Sequence, residues 1–566
     1  MLNRKKRILW VNEGSFLSTG YATYGKEVIG RLVKTGKYDI AELSSFTTIN
    51  DPRNNDVPWV VYPNNVDKED PRFADSQQRK NTFGEWRFER VLLDFKPDVV
   101  IDIRDPWMCG YQFYSPYRPF FHHCIMPTVD SSPQRQEWIE SFMSADNVFT
   151  YSDWGLKVLD KQSRGNMKLN QSAYPGVDLQ VFCPPTNKAA HKQSMGLEED
   201  SIIIGTVMRN QKRKLYPDLL AVFKKLLESL PEDIAKKTYL YIHTGYPDLG
   251  WNLPELIKES GIGNKVLFTY ICGETNKPFI GPMQDARTYS PYSHNASGVL
   301  PSVNRGVSPE QLADIYKCFD LYIQYAICEG FGMPQVEAAA CGVPVASVDY
   351  SAMVDVLNRT NGIRLKVQKL FKELETNANR AMPDNDYCCS ALGKYIRSSQ
   401  EHKDKKSKQA RAATEKYFNW DRTAGIWEEY LDKIVLTGLQ GQWHAPYRHH
   451  VIPELTQEIA TKPVQEYVEW LFVHVLNQPE RAHSLAALEM IQWLNYGGQP
   501  QGDQNNPMQG LKPFTREDAY NVMSAGAKNF ITCEECRTGK RETPMQDFVE
   551  YAHHKKKLLE QNEQHC

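Results

Sequence analysis

An α/β architecture of two doubly wound domains facing each other across a cleft, followed by a helical appendage, is what this sequence predicts. Three observations carry that expectation. Short apolar strands alternate with helical stretches in two successive series, a polar proline-rich stretch separates the series, and beyond about residue 438 the strands cease. At 566 residues the chain is also too long for a single hydrophobic core. The expected units are residues 1–185, residues 186–410, a crossover helix at 411–437 that packs back on the first domain, and a helical accessory domain at 438–566.

In the first series, residues 7–12 read as a buried strand, followed by a Gly/Ser/Thr-rich turn and a helix over 24–34. Further strands fall at 99–103, 123–126 and 147–151, each followed by turn chemistry or helical periodicity. The second series opens with a strand at 202–207 and continues with a helix at 217–229, a strand at 239–243, a helix at 254–260 and a strand at 266–269. A helix at 309–318 and a strand at 321–324 complete it. Two such sheets place their ligand crevice at the facing carboxyl ends of their strands. The interruption at 272–305, rich in Pro, Tyr, Ser and Asn, exceeds a normal connection and is expected to be a functional loop or flap in contact with the acceptor. Residues 411–434 predict one amphipathic helix carrying Tyr417, Phe418, Trp420, Ile426, Trp427 and Tyr430. The tail predicts helices at 463–476, 486–494 and 516–528.

With 41% hydrophobic and 24% charged residues and a net charge of -2, composition points to neither a nucleic-acid nor a membrane partner. The apolar run after the basic first residues is too short for a signal peptide, and no later run reaches the length of a membrane span, so a cytoplasmic location is expected. The 12 cysteines are scattered, which favours free thiols over a disulfide framework. Cys533-Glu534-Glu535-Cys536 is half a zinc site. A structural zinc held by Cys533, Cys536 and His553 or His554 is the alternative to an incidental pair.

The most informative segment is Glu329-Gly330-Phe331-Gly332-Met333-Pro334-Gln335-Val336-Glu337, two carboxylates around a glycine-rich turn. The small residues that follow predict a short helix, a glycine C-cap and a buried strand. Glu337 is expected in the first turn of that helix, with Phe331, Gly332 and Met333 presenting backbone N–H groups to an anion. A favourable dipole partner would explain Glu337 alone but not Glu329 or the glycines.

Arg209 and Lys214, in the turn after the strand at 202–207, are two cations able to meet a diphosphate, Arg as a planar fork and Lys as a point charge. Gly20 follows the first strand, where a glycine allows close backbone approach to a phosphate or acceptor. Asp130, just past the strand at 123–126, either orients or deprotonates an acceptor hydroxyl or caps a helix. Asp105 in Arg104-Asp105-Pro106-Trp107 and the pair His122-His123 are candidates of the same kind, and His243 reads as structural or near the nucleotide base.

Taken together these residues resemble the retaining nucleotide-sugar glycosyltransferases of GT-B fold, in particular glycosyltransferase family 4. The acidic loop looks like that family's Glu-x7-Glu motif, and Arg209 with Lys214 looks like its Arg-x4-Lys clamp. Pro175-Gly176-Val177-Asp178 with Phe182 and Pro184 looks like its interdomain signature, and Ser152 sits where the family has a serine. The helix after Lys416 resembles its terminal helix, and the likeness covers about residues 7 to 435. Two segments, Met208-Arg209-Asn210-Gln211 and Arg104-Asp105-Pro106-Trp107, look like phage-encoded relatives. The resemblance implies a nucleoside-diphosphate sugar as donor, UDP-sugar by default, with Glu337 clamping the ribose and Glu329 facing the transferred hexosyl or pentosyl group. It implies transfer with retention through an oxocarbenium-like state, with no protein nucleophile, cofactor or catalytic metal.

For the acceptor, three readings stand. A saccharide or lipid-linked glycan is the first. A hydroxymethylated pyrimidine in DNA is the second, which would require a basic, aromatic-lined groove fed by residues 394–411 and 553–557. A non-catalytic binding protein is the third, and it predicts loss of Arg209, Lys214, Glu329 or Glu337, all of which are present.

Overall fold

Strand β1 (Lys6–Glu13) is a continuous apolar run, with Ile8, Leu9, Trp10 and Val11 all fully buried, as a strand covered by helices on both faces requires. It sits inside a parallel sheet with β2 (Tyr38–Ser45), β3 (Val60–Pro63), β4 (Val99–Asp102), β5 (His122–Ile125), β6 (Asn147–Thr150) and β7 (Leu169–Ser172), in the order β3-β2-β1-β4-β5-β6-β7. Helix α1 (Gly20–Lys34) follows β1 directly, its first turn capped by Thr19, whose side chain accepts from the Ala22 N–H. The computed structural model describes residues 4–283, 298–302, 305–443, 451–496, 499–500, 511–512, 514–537 and 547–563.

The second sheet contains β8 (Ile202–Val207), β9 (Thr238–His243), β10 (Val266–Cys272), β11 (Pro278–Pro282), β12 (Gly298–Val299), β13 (Leu321–Gln324), β14 (Val345–Val348) and β15 (Ile363–Leu365). Its order is β11-β10-β9-β8-β13-β14-β15, with β12 also paired to β10. Both sheets are doubly wound, as predicted. Their order reverses between β1 and β4 in the first and between β8 and β13 in the second, and the loops after those four strands form the mouth of the cleft. Helix α2 (Tyr216–Ser229) follows the β8 loop and α3 (Met333–Ala340) follows the β13 loop.

The described part of the interruption at 272–305 includes β11 and β12, both antiparallel to β10. β11 covers the sheet's outer edge, which would otherwise expose unpaired backbone. β12 pairs with the end of β10 on its other side, beyond β9, and the Tyr246 N–H in the loop after β9 donates to Pro301 O at 3.2 Å. Residues 284–297 and 303–304 lie outside the described residues.

The single helix predicted over 411–434 is two helices, α4 (Gln400–Tyr417) and α5 (Trp420–Lys433). The break falls at Phe418 and Asn419 because Phe418 is fully buried against Tyr174 and Phe331, and Asn419 caps α5 by accepting from the Arg422 N–H. The chain crosses between domains here: the Val177 N–H donates to Phe418 O at 3.0 Å. A Cβ added to Gly176 would lie 2.4 Å from the Trp420 nitrogen, so only glycine fits. Helix α5 then packs on the first domain, where Trp427 lies 5.3 Å from Trp10 and 4.4 Å from Phe149 and donates its indole N–H to the Tyr24 hydroxyl at 2.8 Å.

The tail is not wholly separate, contrary to expectation. Residues between 452 and 527 form a small core of their own around Tyr467, Phe472, Val475 and Met523. Helix α6 (Asp547–Glu563), however, contributes Phe548, Val549 and Ala552 to the same apolar cluster as Leu9, Val11, Leu43 and Phe88 of the first domain. Arg72 anchors its first turn through Asp547 at 2.9 Å. Among the described residues no helix is long and apolar enough to cross a membrane.

Candidate active site

The loop after β8 and the loop after β13 are locked to one another through backbone. Leu215 N–H donates to Tyr325 O at 3.1 Å and Ile327 N–H to Arg213 O at 3.0 Å. This brings the basic turn against Glu329. Lys214 donates to Glu329 Oε1, and Arg213 holds Glu329 Oε2 at 2.9 Å. Gln324 also donates to Oε1, and the Glu329 N–H donates to Ser351 Oγ at 2.9 Å. Ser351 is itself in a left-handed conformation, at φ 52, a strained backbone for a residue other than glycine. Lys214 and Glu329 are both buried, and burial, reinforced by the neighbouring Arg213, pushes the Lys214 ammonium well below its ordinary value.

Sequence reasoning paired Lys214 with Arg209. In the structure Arg209 is 57% exposed and forms a bidentate pair with Asp248, at 3.0 and 2.8 Å. Arg213, which sequence reasoning does not single out, is the guanidinium beside Lys214. Its signal was position: it shares the β8 loop with Lys214 and follows the reversal point.

Gly332, at φ 90, opens α3, and no side chain caps that helix. The helix begins at Met333, so Glu337 falls in its second turn and not its first. The Glu337 carboxylate accepts from the Tyr316 hydroxyl at 2.8 Å, and burial raises its pKa to about 7, an effect the Tyr316 hydrogen bond opposes. Phe331 turns its ring into the interdomain core, 5.9 Å from Tyr174 and 5.7 Å from Phe418, leaving only its backbone for a ligand. A Cβ on Gly20 would lie 3.9 Å from Met333 Sδ, so the first turns of α1 and α3 meet across the cleft.

On the facing domain, the Tyr21 hydroxyl lies 2.8 Å from Asp105 Oδ1 and 2.6 Å from Thr128 Oγ1. Thr128 abuts the acidic loop closely: a Cβ on Gly330 would lie 2.3 Å from Thr128 Cγ2. The glycine beside Glu329 is therefore required by domain contact. Burial raises the Asp105 carboxyl above its ordinary value against the hydrogen bonds of Tyr21 and Thr128.

Asp130 caps no helix, because the helix Gln136–Met143 is entered through Arg135. It pairs instead with Arg380 of the second domain at 2.9 Å, and Arg380 also holds Glu373 at 2.7 Å. Asp130 thus links the domains. His122 meets Tyr430 at 2.7 Å, the buried His123 meets Gln112 at 2.9 Å, and His243 meets Thr269 at 2.8 Å. Ser152 caps the helix Asp153–Ser163.

Cys533 and Cys536 belong to the helix Arg516–Arg537, with side chains outside the described residues, and His553 is engaged with Asp94 at 3.0 Å. In the basic runs expected to feed a nucleic-acid groove, Lys394, Lys405, Lys408, Lys556 and Lys557 are exposed, whereas two members are engaged within the fold. Lys555 is buried and donates to Asn54 O, and Arg411 donates to Phe182 O and Ala340 O at 2.8 and 2.9 Å.

The family model for glycosyl transferases group 1 matches residues 303–396, which include Glu329, α3 and Glu337. Two relatives, both named D-inositol 3-phosphate glycosyltransferase, are those of Xylanimonas cellulosilytica and Mycolicibacterium smegmatis. The first is 29% identical over 33% of this chain and 37% of its own length, and the second 30% identical over 31% of each. The chain thus spans about a third of the length of these relatives. Among solved structures, sucrose-phosphate synthase from Thermosynechococcus elongatus superposes with a TM-score of 0.55 at 14% identity, covering 76% of this chain and 99% of that one. Anabaena HepE, solved in complex with UDP and glucose, superposes with a TM-score of 0.52 at 13% identity over 76% of this chain and 100% of that one. At such identities the likeness is one of fold.

Two facing doubly wound domains with the acidic loop at the second domain's reversal point define a protein of GT-B fold. More particularly, residues 303–396 of its second domain match the family model for glycosyl transferases group 1.

Proposed function

We propose that the protein is a glycosyltransferase that moves a sugar from a nucleoside diphosphate, UDP first among candidates, to an acceptor hydroxyl of a saccharide or polyol with retention of configuration. The observation that carries this reading is the convergence of Arg213, Lys214 and Glu329 on one point beside the uncapped start of α3. Two cations and a helix N-terminus there suit a diphosphate leaving group. Glu337, in the next turn, is placed to accept ribose hydroxyls, and Glu329 to meet the sugar once the diphosphate takes over its cations. The group 1 match over this loop and the inositol phosphate named for the relatives support the same reading.

In the reaction the anomeric C–O bond to the diphosphate breaks as the acceptor oxygen bonds to that carbon on the same face. The acceptor proton passes to the departing phosphate oxygen, so the products are a glycoside and a nucleoside diphosphate. This chain's residues bind and orient: Arg213 and Lys214 stabilise charge on the leaving group, and Asp105 and Tyr21 hold the acceptor side. Because side-chain cations supply that charge, turnover should survive EDTA.

The test is incubation with a panel of nucleotide sugars, scoring nucleoside diphosphate release with inositol phosphate, methyl glycosides or hydroxymethylated DNA as acceptor, and proton NMR of the product's anomeric signal. An inverted anomer would overturn retention, and release that requires DNA would overturn the saccharide or polyol acceptor.

A further inference from the structure

Two large aromatic side chains stand exposed at the carboxyl end of the first sheet. Phe46, after β2, is 44% exposed and Trp107, after β4, is 42% exposed. Both meet the buried Phe83 edge-on, at ring distances of 5.7 and 4.9 Å, so the three rings form one ledge. Phe46 is held at φ 61, a left-handed conformation unusual for a bulky residue, by its N–H bond to Asn65 Oδ1 at 2.6 Å.

The ledge has a dedicated support. Arg104 is completely buried and ion-paired with Asp102, and its NH1 donates to Ser45 Oγ at 2.9 Å and to Phe83 O at 3.0 Å. One guanidinium thereby fixes the residue before Phe46, the backbone of Phe83 and the loop leading to Trp107. A buried ion pair contributes little net stability and much positional definition.

Asp105 ties the ledge to the reaction centre. It precedes Trp107 by two positions and continues through Tyr21 and Thr128 to Gly330, beside Glu329. We infer that Arg104-Asp105-Pro106-Trp107, with Phe46, is the acceptor-sugar site: Trp107 and Phe46 take the ring's C–H face, and Asp105 accepts from a hydroxyl at its rim. The inference rests on the glycosyl-transfer reading above and adds the acceptor class and its residues.

A sugar suits this surface because it presents an apolar ring face and a hydroxyl edge together, matching aromatic rings beside a carboxyl. A polyanionic strand does not. The segments that follow β2 and β3 carry Asp51 and Asp70, and Arg53 and Arg72 are folded onto them at 2.7 and 2.6 Å. One exposed cation, Arg79, lies 5.0 Å over the Trp107 ring.

The experiment is saturation-transfer NMR of the full-length protein with methyl glucosides, galactosides and mannosides in the presence of UDP, beside calorimetric titration of UDP alone. At least one glycoside should bind the wild type, and Trp107→Ala and Phe46→Ala should each weaken it about tenfold while UDP affinity stays within about twofold. Each ring is partly packed on Phe83, so retained UDP affinity and an unchanged melting temperature serve as the control for folding. Glycoside binding unchanged in both variants would overturn the proposal, as would UDP binding with no glycoside bound. Binding of a hydroxymethylcytosine oligonucleotide that depends on Trp107 would overturn the sugar assignment. Failure of UDP itself to bind would instead contradict the donor reading.

Discussion

Lys214 reaches from the loop after β8 to Glu329 on the loop after β13, and the two side chains meet while both are buried. Arg213 occupies the other carboxylate oxygen at 2.9 Å. Glu329 therefore holds two cations together, and on the proposed reading a diphosphate takes its place there. Glu329→Gln should cost about 2–3 kcal/mol, because Lys214 is left buried without its counter-charge. UDP should then raise the melting temperature of this variant by more than that of the wild type. Equal shifts in a thermal-melt titration would contradict the exchange.

The two arginines of the basic turn have unequal roles. Arg213→Ala should weaken UDP binding about tenfold in calorimetry, as loss of a charge-assisted contact to phosphate does. Arg209→Ala should weaken it less, because Arg209 is held by Asp248 at the exposed side of the same loop.

On the proposed reading, Glu337 should make nucleotide binding pH-dependent. With its carboxyl raised to about 7 in the fold, this group favours folding below its ordinary value of 4.5 and loses that contribution as pH rises toward about 7. Ribose recognition runs the opposite way, since the ionised carboxylate is the better acceptor for two hydroxyls. UDP affinity should rise from about pH 6 to about pH 8, and Glu337→Gln should flatten the profile. An unchanged slope in the variant would assign the dependence elsewhere.

Three glycines separate fold from function. Gly176→Ala places a methyl 2.4 Å from backbone that cannot yield, and should cost about 2–3 kcal/mol and lower the melting temperature. Gly330→Ala presses on Thr128 and should reduce turnover about tenfold with a smaller change in melting temperature. Gly20→Ala meets only Met333 Sδ at ordinary contact distance and should leave stability unchanged within about 0.5 kcal/mol. A loss of UDP affinity in that variant would place the phosphates against α1.

Removing residues 547–566 should expose the apolar surface that Phe548, Val549 and Ala552 share with Leu9 and Val11. The truncated protein should melt lower and associate at micromolar concentration by light scattering. Unaltered melting would show that α6 is dispensable to the first domain.

Much of this was legible in the sequence. Strands buried on both faces read as apolar runs, and β1, β8 and β13 each appear that way. β2 was missed because Asp39 and Glu42 interrupt its run; Glu42 is nonetheless fully buried, with Trp59 donating to it at 2.8 Å and the Ser15 N–H at 3.0 Å. Glu329 and Lys214 stood out because motif spacing is local. The partnership of Arg213 with Glu329, and of Asp130 with Arg380, joins residues far apart in the chain and depends on how loops and domains dock. The break at Phe418 was hidden for a related reason, since an aromatic stripe has the same period whether or not the chain must turn to meet Val177.

On the proposed reading, Arg213, Lys214 and Glu329 handle the diphosphate of a sugar donor. Measuring nucleoside diphosphate release from a panel of nucleotide sugars, for wild type and Lys214→Ala side by side, tests it most directly. One donor should be consumed in an acceptor-dependent reaction, and Lys214→Ala should slow it by about a hundredfold or more while remaining folded. No release from any donor by the folded wild type, or full activity in Lys214→Ala, would contradict the account.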